Sequence, residues 1–116
     1  MFKIEMVNGV PEVIPEVYQQ ISEPVRLIDV RSSEEFVGEL GHIKGAELVT
    51  LGPDLQAFLD EGAATDLKDQ TIIFVCRSGA RSAQATMYSR QLGFEKVYNL
   101  QGGMLRWNSL QLPIQK

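Results

Sequence analysis

The segment that decides the fold is Ile72-Ile73-Phe74-Val75-Cys76-Arg77-Ser78-Gly79-Ala80-Arg81-Ser82. It opens with a short run that is apolar throughout, which is typical of a parallel strand covered on both faces. The run ends at a cysteine, and small and basic residues turn the chain. A helical pattern follows at once, from about Ala80 to Leu92, with Gly93 placed for a left-handed C-terminal cap. A strand joined directly to a helix in this way predicts an α/β fold.

Strand and helix patterns alternate on both sides of this segment. Further strands are expected over 25–30, 47–49 and 96–100. Residues 2–6 alternate apolar and polar side chains, which predicts a strand with one wet face at a sheet edge. Helices are expected behind Pro15, after a Ser33 cap, over 55–59 before Gly62, and over 104–107 before Pro113. Because strands and helices alternate, the sheet should be mostly parallel with right-handed crossovers.

Length and composition favour one compact domain over residues 1–116, with 44% hydrophobic and 22% charged residues and a net charge of −4. No apolar run approaches the ~20 residues of a membrane span, and residues 1–6 lack the apolar centre of a signal peptide. An acidic chain also lacks the basic face that nucleic acids and anionic membranes need. A lone cysteine excludes an intramolecular disulfide. We therefore expect a cytoplasmic protein, a monomer or weak homodimer, that binds neither nucleic acid nor membrane.

The loop after Cys76 has the features of an anion-binding site. Residues 77–82 contain no proline, so every backbone N–H is available to point inward at the start of a helix. No acidic residue lies between positions 70 and 94, although the chain as a whole is acidic. Two arginines beside a helix N-terminus are unfavourable unless an anion lies between them. We therefore expect an anionic substrate, bound by Arg77, Ser78, Gly79, Ala80, Arg81 and Ser82.

Cys76 is the candidate nucleophile. A lone cysteine that ends an apolar strand is more often an inert core residue, but an inert residue needs no cationic loop. The potential that binds an anion also stabilises a thiolate, which is the reactive form of cysteine. We expect the helix N-terminus, the backbone donors, Arg77 and Arg81 together to lower the pKa of Cys76.

Four residues outside the loop, Asp29, Arg31, Glu35 and His42, are interpreted as structural neighbours of the site. Arg31 is expected to pair with Glu34 or Glu35 across one helical turn. His42 is interpreted as a structural histidine in a turn, and a Cys–His catalytic pair stays open as the alternative. One cysteine and one histidine provide no ligand cluster, so we expect no metal and no cofactor.

Three motifs resemble the rhodanese-like (sulfurtransferase) domain family in its single-domain bacterial form. Residues 27–31 (Leu-Ile-Asp-Val-Arg), followed by Glu35-Phe36 and by Gly-His-Ile-Lys-Gly-Ala at 41–46, are similar to the family's N-terminal motif. Residues 76–81 resemble its active-site loop, and 100–107 (Leu-Gln-Gly-Gly-Met-Leu-Arg-Trp) resemble its C-terminal Gly-Gly…Trp motif. The chain departs from the family around residues 37–44, where the connection is longer and a lysine stands where proline is common.

The resemblance implies a five-stranded, mostly parallel sheet with helices on both faces. It also implies a sulfurtransferase of the thiosulfate sulfurtransferase type, in which Cys76 carries a sulfane sulfur as a persulfide. The donor would be a small anion, thiosulfate or a persulfide, and the acceptor a thiol or a protein. Related phosphatases have a loop one residue longer, whereas four residues separate Cys76 from Arg81 here. A phosphatase or arsenate reductase of the related type and a non-catalytic binding or regulatory module are the alternatives.

Overall fold

The computed structural model describes residues 2–116, and Met1 lies outside the described residues. The strands are β1 (Glu5–Val7), β2 (Val10–Val13), β3 (Arg26–Asp29), β4 (Glu47–Leu48), β5 (Ile72–Val75) and β6 (Val97–Leu100). The helices are α1 (Pro15–Tyr18), α2 (Ser33–Phe36), α3 (Pro53–Gly62), α4 (Ala80–Gln91) and α5 (Gly103–Ser109), with a 3₁₀ turn over Asp66–Asp69. No helix within residues 2–116 has both the length and the apolar character needed to cross a membrane.

The strands form one sheet in the order β1-β2-β6-β5-β3-β4. The four contacts that join β2, β6, β5, β3 and β4 are parallel, and β1 pairs antiparallel with β2. The predicted mostly parallel α/β sheet is therefore confirmed, with one strand more than the five that were expected. Because β5 lies in the middle, Cys76 leaves the sheet from its most covered strand.

The additional strand is β2, which a tight turn at Asn8 and Gly9 joins to β1. Both turn residues have positive φ, 51° and 81°, which is the geometry of a two-residue hairpin loop. The expected N-terminal edge strand exists, but it covers Glu5–Val7 instead of residues 2–6. The hairpin displaces it because β2, and not the first residues, pairs with β6.

Apolar side chains alternate between the two faces of β5, and each face packs under helices. Ile72 and Phe74 pack with α3 and α4, while Ile73 and Val75 pack with α1 and α5. All four side chains are fully buried. Helices on both faces, as expected, therefore fix the end of β5 from two sides.

Helix α2 begins one residue earlier than the sequence suggested, because Ser32 and not Ser33 is its N-cap. The Ser32 hydroxyl accepts from the Glu35 N–H, and the Glu35 carboxylate accepts from the Ser32 N–H, both at 3.2 Å. This reciprocal capping box holds Glu35 at the start of α2, next to the Cys76 loop.

Candidate active site

Cys76 follows β5 directly, and only three residues separate it from the first residue of α4. The turn depends on Gly79, which has φ 106° and ψ −11° and is the N-cap of α4. A side chain disfavours that backbone conformation, whereas glycine adopts it readily. The turn is therefore tight enough to bring the first N–H groups of α4 back toward the cysteine.

Two hydrogen bonds reach the Cys76 sulfur directly. The Gly79 N–H donates to Sγ at 3.1 Å, and the Ser82 hydroxyl lies 3.2 Å from the same atom. The residue is only 1% exposed. Burial acts to raise the pKa of Cys76, but the Ser82 hydroxyl and the backbone N–H groups of Ser82, Gly79 and Ser78 outweigh it and hold the pKa below its usual value. The loop is thus built to stabilise a thiolate, mainly through neutral donors.

The Gly102–Gly103 pair braces this loop from the other side. Met104 N–H donates to the Cys76 carbonyl and Leu105 N–H to the Arg77 carbonyl, both at 2.9 Å. Gly103 has φ 58°, and a Cβ at this position would lie 2.6 Å from the Arg77 oxygen. The glycine therefore permits the close approach by which the first turn of α5 holds the loop in place.

Glu35 and Arg81, which are distant in sequence, form a two-point ion pair at the rim of the loop. Both guanidinium nitrogens of Arg81 donate to the Glu35 carboxylate oxygens at 2.8 Å. The hydrogen bonds from Arg81 are the main reason why the pKa of Glu35 falls to about 2. Much of the Arg81 charge is therefore neutralised within the protein, which weakens the expectation that two unpaired arginines face the cysteine.

The predicted pairing of Arg31 with Glu34 or Glu35 is wrong. Arg31 instead binds Asp29 through Nε and Nη2, at 2.9 and 2.8 Å, and its Nη2 also donates to the Gly41 carbonyl at 2.7 Å. Both side chains of this ion pair are buried. A buried guanidinium needs a charged, hydrogen-bonded partner beside it. Asp29, which is buried at the end of β3, is that partner. Glu35 lies closer to the surface and binds Arg81 instead. The pair fastens the end of β3 to the connection that contains Gly41.

His42 lies in that connection and is occupied there. Its Nδ1 is 2.8 Å from the Phe36 carbonyl oxygen, and its ring stacks on the Phe36 ring with centroids 3.7 Å apart. Within residues 2–116, no hydrogen bond joins His42 to Cys76. Histidine therefore holds the 37–44 connection to α2, and the thiolate has to be stabilised without it.

Arg77 is the cation that the loop leaves available. Its side chain is exposed and makes no hydrogen bond or ion pair with any of residues 2–116. It borders a cleft of about 350 Å³ whose other walls are Arg31, Glu35, Gly38, Glu39 and Leu40. A larger cleft, of about 530 Å³, lies at the opposite end of the sheet, where β3, β5 and β6 begin. Because Cys76 follows the other end of β5, the cleft that Arg77 borders lies at the same end of the sheet as the candidate nucleophile.

The chain matches the family model for the rhodanese-like domain over residues 14–110. This match includes the cysteine loop, the buried Asp29–Arg31 pair and the Gly-Gly pair described above. The chain belongs to the rhodanese-like family.

One relative of similar length is thiosulfate sulfurtransferase GlpE of Pseudomonas aeruginosa, which is 34% identical over 99 residues, with 84% of each chain covered. A longer relative is the probable adenylyltransferase/sulfurtransferase MoeZ of Mycobacterium tuberculosis, 36% identical over 87 residues. The match covers 75% of this chain but spans only about a fifth (21%) of MoeZ. The crystal structure of a rhodanese-like domain protein from Staphylococcus aureus is 27% identical, with a TM-score of 0.68 and coverage of 90% of this chain and 98% of that one.

Two buried polar residues of this rhodanese-like domain, Glu12 and Asn99, lie near the sulfur and are absent from the site residues predicted from the sequence. The Ser82 hydroxyl donates to Asn99 Oδ1 at 2.5 Å, and Asn99 Nδ2 donates to the Glu12 carboxylate at 2.8 Å. One signal was available, because an amide in a strand that is otherwise apolar needs a hydrogen-bond partner. Glu12 carried no such signal, because its strand was not predicted. Among residues 2–116, no group of three or more His, Cys, Asp and Glu side chains is arranged to hold a metal ion.

Proposed function

We propose that this rhodanese-like domain is a sulfurtransferase that carries a sulfane sulfur as a persulfide on Cys76. The observation that carries the proposal is the buried sulfur with a lowered pKa, held by the Ser82 hydroxyl and by backbone N–H groups. A lowered pKa increases the fraction of Cys76 that is thiolate before a substrate arrives, so the reaction depends less on a histidine to remove the proton. The same donors suit a persulfide, which is also an anion.

The reaction has two displacement steps. In the first, the Cys76 thiolate attacks the outer sulfur of thiosulfate, a bond forms between the two sulfurs, and the bond to the sulfonate breaks with its electron pair leaving as sulfite. The products are the Cys76 persulfide anion and sulfite, so charge balances without a proton. In the second step an acceptor thiolate attacks the outer sulfur of the persulfide and takes it, and Cys76 leaves as a thiolate. Such exchange needs a good nucleophile in one direction and a good leaving group in the other, and a thiolate with a moderately lowered pKa serves both.

Arg77 is proposed to attract the donor. It is exposed, has no carboxylate partner within residues 2–116 and lines the cleft beside the loop. The sulfonate oxygens of thiosulfate are charged hydrogen-bond acceptors, so an arginine at the mouth can bind that end while the outer sulfur reaches Cys76. The remaining loop residues, Ser78, Gly79, Ala80 and Ser82, are proposed to hold the transferred sulfur through backbone N–H groups.

Two observations favour sulfur transfer over hydrolysis of a phosphate ester. Four residues lie between Cys76 and Arg81, which is a small ring for a tetrahedral phosphoryl group. Arg81, which would have to bind the phosphoryl oxygens, is held by Glu35 at 2.8 Å. A loop whose side-chain cation is occupied suits a single sulfur atom better than three charged oxygens.

The test is intact-mass measurement of the protein after incubation with thiosulfate. The wild type should gain the mass of one sulfur atom and lose it on treatment with cyanide or dithiothreitol, and Cys76→Ser should gain nothing. A thiosulfate:cyanide assay and a phosphomonoester assay on the same preparation separate the alternatives. Phosphate release without sulfur transfer would support the phosphatase, and neither activity together with no mass gain would support a binding module.

A further inference from the structure

A buried chain of polar side chains runs from the active-site sulfur along one face of the sheet to β2. It consists of Ser82, Asn99 and Glu12, which are 0, 1 and 8% exposed. Asn99 and Glu12 are direct neighbours across the parallel pair of β6 and β2. Buried polar groups are costly unless they are hydrogen-bonded, and these three satisfy one another in sequence. Ser82 contacts the sulfur in the proposed reaction, whereas Asn99 and Glu12 have no part in the steps described above, and their hydrogen bonds indicate their role.

The orientation of the Asn99 amide follows from its partners. Its Nδ2 lies 2.8 Å from a Glu12 carboxylate oxygen and 3.1 Å from the Gly79 carbonyl oxygen. The Gly79 carbonyl can only accept, so the amide nitrogen must face it. Asn99 Oδ1 then faces the Ser82 hydroxyl, 2.5 Å away. Because a carbonyl oxygen can only accept, Asn99 draws the hydroxyl hydrogen of Ser82 toward itself.

The same hydrogen is needed by the sulfur. Ser82 Oγ lies 3.2 Å from Cys76 Sγ and 2.5 Å from Asn99 Oδ1, and a hydroxyl has only one hydrogen to give. We propose that Asn99, anchored by Glu12, is a positioning residue that competes with the Cys76 sulfur for the Ser82 hydrogen and so adjusts the balance between loading and discharge of sulfur.

The acceptor of the Ser82 hydrogen changes when Cys76 is converted to the persulfide. In the empty protein the negative charge is on Sγ, which attracts the Ser82 hydrogen. In the persulfide the charge lies on the outer sulfur, Sγ is a neutral disulfide-type sulfur, and the hydrogen returns to Asn99. Asn99 therefore keeps the buried hydroxyl satisfied in the loaded state, which stabilises that state relative to a protein without the amide. Glu12 strengthens the effect because a charged acceptor polarises the amide that it binds.

The variants Ser82→Ala and Asn99→Leu should act in opposite directions. Removal of a hydrogen bond to a charged group should raise the pKa of Cys76 in Ser82→Ala by about one pH unit. Asn99→Leu frees the Ser82 hydrogen for the sulfur and should lower that pKa by roughly half a pH unit, about a threefold change in ionisation. A less basic thiolate attacks more slowly and leaves more readily. With a Brønsted coefficient of about 0.4–0.5, Asn99→Leu should therefore slow loading from thiosulfate and speed discharge to a thiol, each by a factor of about 1.5–2 when Cys76 is fully ionised.

The measurement is the ultraviolet absorbance of the thiolate against pH, with Cys76→Ser as the blank. Because the chain has one cysteine, the difference spectrum belongs to Cys76 alone. The matched control is Ser89→Ala, which removes a fully buried hydroxyl from the same helix, bonded to the Thr86 carbonyl at 2.8 Å. It should leave the titration unchanged. The charged groups on the other elements around the loop stay constant in every variant and cancel in the comparison: Asp29, Arg31, Glu35, Arg77 and Arg81.

The double variant Ser82→Ala/Asn99→Leu distinguishes an effect of Asn99 transmitted through the Ser82 hydrogen from a general loss of structure. If Asn99 acts through the Ser82 hydrogen, adding Asn99→Leu to Ser82→Ala should leave the titration of Ser82→Ala unmoved. Should Asn99→Leu fail to fold because it removes one of the two donors to the buried Glu12 carboxylate, Glu12→Gln is the second variant. It should lower the pKa of Cys76 by a smaller amount. If the decrease in the pKa of Cys76 is smaller in the Ser82→Ala background, the difference is transmitted through the Ser82 hydrogen. A decrease of the same size with and without Ser82 is a direct effect of the Glu12 charge.

An Asn99→Leu titration that rises or stays in place would overturn the inference, as would an equal effect with and without Ser82. Slower loading together with slower discharge would also contradict it, since a merely structural role slows both. The rates of loading and discharge rest on the proposed function, whereas the thiolate titration does not. Absence of a persulfide in the wild type would therefore refute sulfur transfer and still leave the hydrogen competition to be decided by absorbance.

Discussion

Gly79→Ala should separate the chemistry of the loop from the stability of the domain. Gly79 has φ 106°, and a Cβ would lie 3.6 Å from the Gly102 nitrogen and 3.7 Å from Asn99 Nδ2. Both distances are ordinary van der Waals contacts, so there is room for the methyl group. The cost of the substitution is therefore the cost of the backbone conformation alone, about 1–3 kcal/mol.

The domain can relieve this strain by turning the residue toward negative φ, and that movement carries the Gly79 N–H away from Cys76 Sγ, now 3.1 Å distant. A hydrogen bond to a charged group contributes about 1.5–3 kcal/mol. Since one pKa unit corresponds to about 1.4 kcal/mol, loss of this bond should raise the pKa of Cys76 by about 1–2 pH units. The nearby Ser82 donor remains, so the thiolate should be weakened and not abolished.

Gly93→Ala is the matched control. Gly93 follows α4 at φ 99°, and a Cβ there would meet nothing within 4 Å, so the two variants carry similar backbone strain at opposite ends of one helix. Thermal unfolding should show comparable losses of stability for both. Thiolate absorbance against pH and the rate of persulfide formation should change only for Gly79→Ala. A thiolate titration that moves equally in both variants, or in neither, would refute the reasoning.

Three further predictions follow from the site. Arg77→Ala should raise KM for thiosulfate several-fold with little change in melting temperature, because its exposed side chain makes no hydrogen bond or ion pair within residues 2–116. Arg90→Ala, at the far end of α4, is the charge control. Equal kinetics in the two variants would contradict a donor-binding role. The pKa of Glu35 is lowered to about 2 from an ordinary 4.5, so its stabilising contribution is complete above about pH 4.5 and is lost as the pH falls toward 2. Glu35→Gln keeps the capping box but removes the negative charge that pairs with Arg81. The difference in melting temperature between the wild type and this variant should shrink across that window. A constant difference would count against the ion pair. Gly103→Ala, with a Cβ that would lie 2.6 Å from the Arg77 carbonyl, should lower both stability and sulfur loading, and wild-type values in both assays would show that the contact is not needed.

The central part of this fold could be predicted from the sequence because its signals are local. The apolar run of β5, the helix that follows it and the glycine that ends α4 each depend on a few consecutive residues. The strand β2 could not be predicted in the same way, because Pro11 and Glu12 interrupt its apolar character. The remaining signal for this strand is the Asn8-Gly9 pair, which favours a hairpin turn, and the predictions from the sequence include no hairpin there.

The partners of charged residues were predicted less well, for a related reason. Sequence analysis paired Arg31 with the nearest acids along the chain, whereas burial at the end of β3 selects Asp29. Glu35 then binds Arg81, 46 positions away. Asn99 and Glu12 lie 87 positions apart and meet only because β2 and β6 are adjacent strands. Spacing along a helix can suggest a pair, but the sheet order decides which buried groups share an environment.

The depth of the Cys76 sulfur has a consequence for which molecules the protein can serve. The empty residue is 1% exposed, so only a slender reactant such as the terminal sulfur of a small donor reaches it. In the proposed function, a sulfur carried on Cys76 would place its terminal atom about 2 Å beyond Sγ, the length of one sulfur–sulfur bond. We therefore expect acceptor thiols to reach the outer sulfur of the persulfide more easily than they reach the buried sulfur of the unmodified cysteine.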